Sequence, residues 1–307
     1  MRKLFFIFLI TLISVCHAEK MTVILDWFPN PDHAPLIVAQ QQGFFQRQGL
    51  SVDLVPPADP SDPAKLVAAG KADLAIGYQP RFLEQVDQGL PLVAVGTLIN
   101  QPLNALVVLG DSAVHSVADL KHTKIGYSGS GMNSTMLKIM LEQHGLSLQD
   151  VEIVQIHYNL TQALLSGKVD AVTGMMRNFE MSQLEAAGHP GRAFYPENNG
   201  MPTYSELIFI ARQKSNAERI KRFFIALTEA VTYLREHPEE TWQAYARAYP
   251  ESNDEVNHRA WRATVLLFAR NPGTLAQPQF MQFARFMQIN GLIKSVPSPS
   301  TYFLAKD

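Results

Sequence analysis

One cysteine, Cys16, occurs in 307 residues. It falls inside the N-terminal stretch "MRKLFFIFLITLISVCHAEK", which reads as a secretory signal. Arg2 and Lys3 give a positive start, and the apolar run from Leu4 to Val15 is too short to cross a bilayer. Cys16-His17-Ala18 places small residues three and one before a cut after Ala18. Lipidation at Cys16 is the rival processing, disfavoured by the bulky Val15 directly ahead of it, so a soluble periplasmic protein is expected. The mature chain would then hold no cysteine, which excludes disulfides, thiolate metal sites and cysteine nucleophiles.

An excess of either charge is missing as well. The 26 Lys and Arg face 28 Asp and Glu, and without Arg2 and Lys3 the mature chain has 24 basic residues and a net charge of −4. No basic run occurs, so nucleic acid is not an expected partner. Beyond the leader no stretch is long and apolar enough for a membrane span. Nine histidines are scattered without metal spacing. Gly-x-Ser-x-Gly, paired zinc motifs, the phosphate-loop consensus and the dinucleotide fingerprint are all lacking. No catalytic residue, metal ligand or cofactor is therefore expected, and the chain is expected to act as a monomer.

What is present is an alternation of short apolar runs with helical patterns. Strands are predicted at Met21–Trp27, Ser51–Val55, Leu74–Gly77, Leu92–Thr97, Ala105–Leu109, Lys124–Tyr127, Glu152–Gln155, Ala171–Thr173 and Leu207–Ala211. Helices fall between them at Ala34–Gln42, Pro63–Ala69, Arg81–Gln88, Ser134–His144 and Leu160–Ser166. This is the βαβ pattern of an α/β protein with a mostly parallel sheet. Two segments echo each other. "LVAAGKADLAIG" and "ALLSGKVDAVTG" both end a helix at Gly (Gly70, Gly167), follow with Lys, then Asp (Asp73, Asp170), then a strand. Gly accepts the positive φ of a helix end, and Lys suits its negative pole. The matched order favours two similar lobes. After Ala211 only helices are predicted, with capping boxes at Ser215/Glu218 and Ser252/Glu255.

Four constellations at strand ends invite a ligand. Asp26-Trp27 with Asn30 and His33 follows the first strand, where an acid beside a tryptophan is costly to bury unpartnered. The loop "GYSGSGMNSTML" offers Ser128, Ser130, Gly131 and Asn133 ahead of a helix, a setting that binds polar ligand atoms through backbone N–H groups. "GMMRNFEMSQLEAAG" places Arg177, Asn178 and Glu180 at a strand-to-helix junction. In "GMPTYSELIFIA", Tyr204 and Glu206 share one face of an apolar strand. Tyr78 and Tyr158 add aromatic faces near strand ends. Each constellation also admits a plain structural reading: a core tryptophan, a turn acid, a charged first helical turn.

The stretch "LDWFPNPDHAPLIVAQQQGFF", the segment "DPSDPAKLVAAGKADLAIG" and "KIGYSGSG" together resemble one family. It unites the exported pyrimidine-binding component of a thiamine-precursor ABC transporter with the fungal enzyme that makes the thiamine pyrimidine. The likeness covers nearly the whole mature chain. It implies the two-lobed periplasmic binding protein fold (type II), closing on ligand between lobes formed by residues 19–105 plus 205–307 and by residues 106–204. The enzyme branch would carry a lysine for pyridoxal phosphate and a consumed histidine just after the first Gly-Lys-x-Asp strand, but Gly77 and Arg81 stand there. Its cysteine-rich metal motif is replaced by Met201-Pro202-Thr203-Tyr204-Ser205. The resemblance thus implies a binding protein, not an enzyme. Its ligand would be N-formyl-4-amino-5-aminomethyl-2-methylpyrimidine or a close relative, and its partner a membrane permease. Asp26 and Glu206 would accept from amino and amide N–H groups, with Trp27, Tyr78, Tyr158 and Tyr204 flanking the ring. A flavin-type ligand stays open, as does a sulfonate or nitrate. Such an anion would want an arginine clamp, for which only Arg81 and Arg177 are near.

Overall fold

The structure is a computed structural model that describes residues 18–128, 133–296 and 299–303, and only the backbone of 133–135 and 301. Of the expected signal segment, residues 1–18, residues 1–17 lie outside the described residues. Among the described residues ten strands run in order: β1 (Glu19–Ile24), β2 (Leu50–Val55), β3 (Leu74–Gly77), β4 (Leu92–Ile99), β5 (Asn104–Leu109), β6 (Lys124–Tyr127), β7 (Glu152–Gln155), β8 (Ala171–Met176), β9 (Gly191–Phe194) and β10 (Leu207–Arg212). They form two sheets, β2-β1-β3-β10-β4 and β7-β6-β8-β5-β9. Nine of these strands match runs predicted from the sequence. The tenth, β9, is a half-buried edge strand whose Gly-Arg-Ala-Phe shows no alternation to find.

The sheets are mixed, not mostly parallel as the βαβ pattern predicts. β1 pairs in parallel with β2 and β3, and β6 with β7 and β8; β10 runs against β3 and β4, and β5 against β8 and β9. The cause is connectivity. β5 and β10 are the first strands after the chain passes from one sheet to the other, so each enters its new sheet from the opposite end.

The two Gly-Lys-x-Asp segments occupy matching places, one in each sheet. Gly70 and Gly167 take φ of +71° and +68°. The following lysine N–H closes back on the helix, Lys71 to Leu66 O and Lys168 to Ala163 O. Asp73 and Asp170 then grip the neighbouring parallel strand. Thr22 N donates to Asp73 Oδ2 at 2.8 Å and Lys124 N to Asp170 Oδ2 at 2.7 Å, while each aspartate's own N–H donates to the same residue's carbonyl. The sequence echo is one strand-pairing device used twice, and it aligns the strand ends that face the cleft.

Helices Ala217–Glu236, Pro238–Ala248, Glu255–Val265 and Gln277–Ile289 follow β10; the first packs on helices Ala34–Gln41 and Phe44–Arg47, and the third on the Pro31–His33 turn and helix Glu180–Ala186. The expected apolar face of the first of these, Ile220, Phe223, Phe224, Leu227, Val231 and Leu234, is buried. The predicted serine caps are displaced. Asn216 accepts from Arg219 N at 3.0 Å and Asp254 from Asn257 N at 2.7 Å, so the amide and the carboxylate, placed one and two residues later, take the N-cap role. Phe223 stacks on Phe45 and meets Phe209 edge-on, with ring centroids 5.2 and 5.6 Å apart.

Gly96 on β4 shows how tightly this layer closes. A Cβ there would stand 2.3 Å from Pro272 O and 2.4 Å from the Phe224 ring, and Thr97 N donates to the same carbonyl at 2.8 Å. Gly96→Ala should therefore cost roughly 1–3 kcal/mol of stability through overpacking. Urea unfolding of the variant measures this; an unchanged midpoint would mean that the 271–274 turn does not press on β4.

Candidate ligand-binding site

Asp26 follows β1 and is only 4% exposed, so its charge has to be met by donors within the protein. Two converge on it. His33 Nε2 lies 3.0 Å from Oδ1, and Tyr78 OH donates to Oδ2 at 2.7 Å. The sequence Asn30-Pro31-Asp32-His33 makes this possible. Asn30 Oδ1 accepts from Asp32 N at 2.8 Å, and Asn30 N donates to His33 Nδ1 at 3.3 Å, a capping box in which histidine replaces the usual glutamate. A lone pair is needed on Nδ1 to receive that N–H. The network thus assigns the ring proton to Nε2, where it points at Asp26.

Two further acids face the same cleft. Asp32 accepts from Asn178 Nδ2 at 2.6 Å, and Glu180 Oε2 from Met176 N at 2.8 Å. Burial lifts Asp32 from 3.8 to about 6, against the pull of Asn178, and lifts Glu180 from 4.5 to about 8. Asp26, Asp32 and Glu180 line one cavity with Trp27, Asn30, Tyr78, Leu160, Gly174, Met176 and Phe179. No lysine or arginine is among these residues. The cavity holds about 20 Å³, the room of about one water against about 300–1,000 Å³ in occupied ligand sites. A ring does not fit this cavity as it stands.

Aromatic groups form the outer wall. Trp27 is buried and meets Tyr158 edge-on at 4.4 Å between centroids, with Phe28 5.5 Å from Trp27. Tyr158 comes from the second sheet's side and donates to Pro57 O at 2.8 Å on the first. Trp27 Nε1 is buried and finds no partner among the described residues. Phe28, 43% exposed, stands at a mouth of about 420 Å³ shared with Trp27, Tyr158, Phe179, Glu180 and Asp254.

Comparison with known proteins bears on what such a cleft is for. The family model described as NMT1/THI5 like matches residues 30–241. The chain belongs to the NMT1/THI5-like family. A Haemophilus influenzae protein named for thiamine biosynthesis is 48% identical over 277 residues, 90% of this chain and 88% of that protein. The formylaminopyrimidine-binding protein of Halalkalibacterium halodurans is 34% identical, covering 76% of this chain and 72% of its own. A 4-amino-5-hydroxymethyl-2-methylpyrimidine phosphate synthase of Saccharomyces cerevisiae is 26% identical over 82% and 77%. Among solved structures, the periplasmic aliphatic sulphonate binding protein of Escherichia coli superposes with a TM-score of 0.69 at 16% identity, over 94% and 93% of the two chains. The fold is the two-lobed periplasmic binding protein fold of type II.

Within this NMT1/THI5-like chain, some expected site residues lie elsewhere. Tyr204 and Glu206 are fully buried where the chain crosses between lobes and line no described cavity with the cleft acids. Glu206 Oε2 accepts from Leu103 N at 2.6 Å, Asn104 N at 2.9 Å and Tyr204 OH at 3.1 Å, and Oε1 from Asn104 Nδ2. Burial raises Glu206 from 4.5 to about 7 even so. Its four donors make it the tie between the two crossing segments, not a ligand acceptor. Arg177 is spent there too, bidentate on Glu197 at 2.7 and 3.0 Å. Arg81 pairs with Glu84 at 2.9 Å. His33 and Asn178 lie at the cleft but spend their donors inside the protein. Ser128 is buried after β6. Ser130 and Gly131 lie outside the described residues, and of Asn133 only the backbone is described, opening helix Asn133–Gln143.

Asp32, Phe28 and Phe179 are cleft residues that sequence reading misses. For Asp32 the signal was available, since it lies between two residues already singled out. The raised acids have a measurable consequence. Folded Glu180 keeps its proton up to about pH 8, the unfolded chain only to about 4.5. The folded state therefore binds more protons across that window, and stability falls as pH rises through it. Glu180→Gln keeps the acceptor for Met176 N–H and cannot ionise. It should exceed the parent by roughly 1–3 kcal/mol at pH 9, where the buried charge costs most, and the gap should narrow toward pH 5. Denaturation at both pH values checks this; a gap independent of pH would show that Glu180 does not titrate as its burial requires.

Proposed function

We propose that this chain is the exported, periplasmic substrate-binding protein of an ABC importer. Its ligand would be N-formyl-4-amino-5-aminomethyl-2-methylpyrimidine or a close relative, delivered to a membrane permease without reacting. The two lobes, residues 19–105 with 205–307 and residues 106–204, would close over it.

The observation that carries this reading is a cavity lined by three carboxyl groups with no basic side chain among its lining residues, beside a second cavity that shares Asp26 and Tyr78 and whose one arginine, Arg81, is paired with Glu84. An anion such as a sulfonate would have to enter against that charge, whereas an aminopyrimidine suits it. An acid held near neutrality, as Glu180 is, presents an O–H to a ring nitrogen and a C=O to the adjacent amino group. If it ionises, it still accepts from amino and amide N–H groups. The unpartnered Trp27 N–H adds a donor for a ring nitrogen or the formyl oxygen, and the Trp27 and Tyr158 rings add apolar walls. Charge-assisted bonds of roughly 1.5–3 kcal/mol each and aromatic contacts of roughly 0.5–1.5 kcal/mol are enough for micromolar binding or better, about −8 kcal/mol. The family's binding-protein member at 34% identity supports the same ligand class.

The synthase members of the family need a lysine amine for pyridoxal phosphate, and Gly77 offers none. Arg81 is tied to Glu84, and no cluster of three or more metal-ligating side chains occurs among the described residues. These residues support a reading of binding without turnover.

Titration calorimetry should give a micromolar or tighter complex with the formylated aminopyrimidine and no heat with ethanesulfonate. Trp27→Phe should keep the fold, because its N–H finds no partner among the described residues, and weaken binding about three- to tenfold. Ethanesulfonate binding as tightly as the pyrimidine would overturn the ligand assignment. New pyrimidine formed with pyridoxal phosphate and ferrous iron in air would overturn the transport role.

A further inference from the structure

One polar cluster bridges the lobes at the edge of the cleft, with Asp32 lining the cavity and Asn178 Oδ1 buried without a partner among the described residues. Asp32 lies in the turn after β1, Asn178 in the turn after β8, and Thr264 in helix Glu255–Val265. That helix packs on both the Pro31–His33 turn and helix Glu180–Ala186, so it spans the two sides. Asn178 Nδ2 gives one hydrogen to Asp32 Oδ1 at 2.6 Å and the other to Thr264 Oγ1 at 2.7 Å. The Thr264 hydroxyl passes its own hydrogen to Ala260 O at 2.7 Å, which leaves its oxygen free to receive Asn178. Thr264 is wholly buried, and Asp32 and Asn178 nearly so. Both Asn178 hydrogens are thus consumed between the lobes. The neighbouring Arg259–Glu185 pair, at 3.2 Å, is more than half exposed on both sides and adds little.

We infer that Asp32, Asn178 and Thr264 form a latch that holds the lobes together before ligand arrives, and that sets how slowly a bound ligand leaves. Opening the cleft must break two short bonds made by a single buried amide. One of them ends on a carboxyl group that burial has already stripped of solvent, the setting in which a lost partner costs most. Asn178 has no donor left for a ligand and Thr264 lines none of the cavities described above, so Asp32 is the member of the latch that also faces the cleft. Thr264 is therefore a positioning residue: it fixes the Asn178 amide, and through it the Asp32 carboxyl that lines the cleft. The ligand-retention half of this inference rests on the proposed function; the ligand-free half does not.

The test compares Thr264→Val, which keeps the shape and removes the hydroxyl, with Thr264→Ser, which keeps the hydroxyl. Small-angle scattering of ligand-free protein should give a larger radius of gyration for the valine variant and the parent's radius for the serine variant. Stopped-flow release of the formylated aminopyrimidine should be about tenfold faster or more in the valine variant and parent-like in the serine variant. If a melt shows that the valine variant does not fold, Asn178→Ala carries the same expectations. An unchanged ligand-free radius in the variant that folds would overturn the latch, and so would a serine variant as open as the valine one. Failure of the parent to bind the pyrimidine would overturn the proposed ligand instead, with the ligand-free scattering still deciding the latch.

Discussion

A carboxyl group buried without a cation has to be held by hydrogen-bond donors, and the middle of this protein follows that rule four times. Asp26 receives His33 and Tyr78, Asp32 receives Asn178, Glu180 receives the Met176 N–H, and Glu206 receives two backbone N–H groups with Asn104 and Tyr204. Among the described residues none of the four is paired with lysine or arginine. For Asp32, Glu180 and Glu206, burial then raises the carboxyl against the pull of those donors. The local structure answers to this need. The Asn30 capping box exists in a three-residue turn, too short to matter as a helix, yet it fixes the one histidine tautomer that serves Asp26.

The same rule separates two roles that look alike in sequence. Glu206 and Glu180 are both acids beside apolar strands and both are fully enclosed. Glu206 meets four donors and joins the crossing segments, so its hydrogen-bonding capacity is used within the protein. Glu180 accepts from backbone N–H groups alone, that of Met176 and its own, and faces a cavity, and burial raises it to about 8. The count of internal donors, more than the residue type, tells a structural acid from one with capacity to spare for a partner.

Much of the architecture was legible because it rests on local periodicity. The alternating runs located nine strands, and the paired Gly-Lys-x-Asp segments marked equivalent places in the two sheets, since a helix end, a positive-φ glycine and a strand-gripping aspartate follow one another in sequence. Strand direction was not legible, because it depends on which sheet a strand joins after a crossing, and no local pattern records that. At the site, Asp26, Trp27 and Glu180 stood out as an acid or tryptophan at a strand end and do line the cleft. Glu206 stood out by the same signal and does not, because its partners lie about a hundred residues away, at Leu103 and Asn104. Thr264 gave no signal at all: a threonine in a helix becomes informative only when the fold sets it against Asn178.

Fold alone cannot choose among ligands here, since a sulphonate binding protein shares the architecture at 16% identity. The choice has to come from the side chains at the strand ends, and there the charge balance is lopsided. Bringing Asp26, Asp32 and Glu180 together in a shrinking cavity grows more costly as each is ionised. Closure is easiest when protons or ligand donors compensate. A ligand rich in N–H groups lowers the cost of closing, and one carrying negative charge raises it. Selectivity in such a cleft would then be a property of the closing step itself: lobes that could shut over an N–H-rich ring would be held apart by an anion of equal size, with no contact needed to reject it beyond the acids already present.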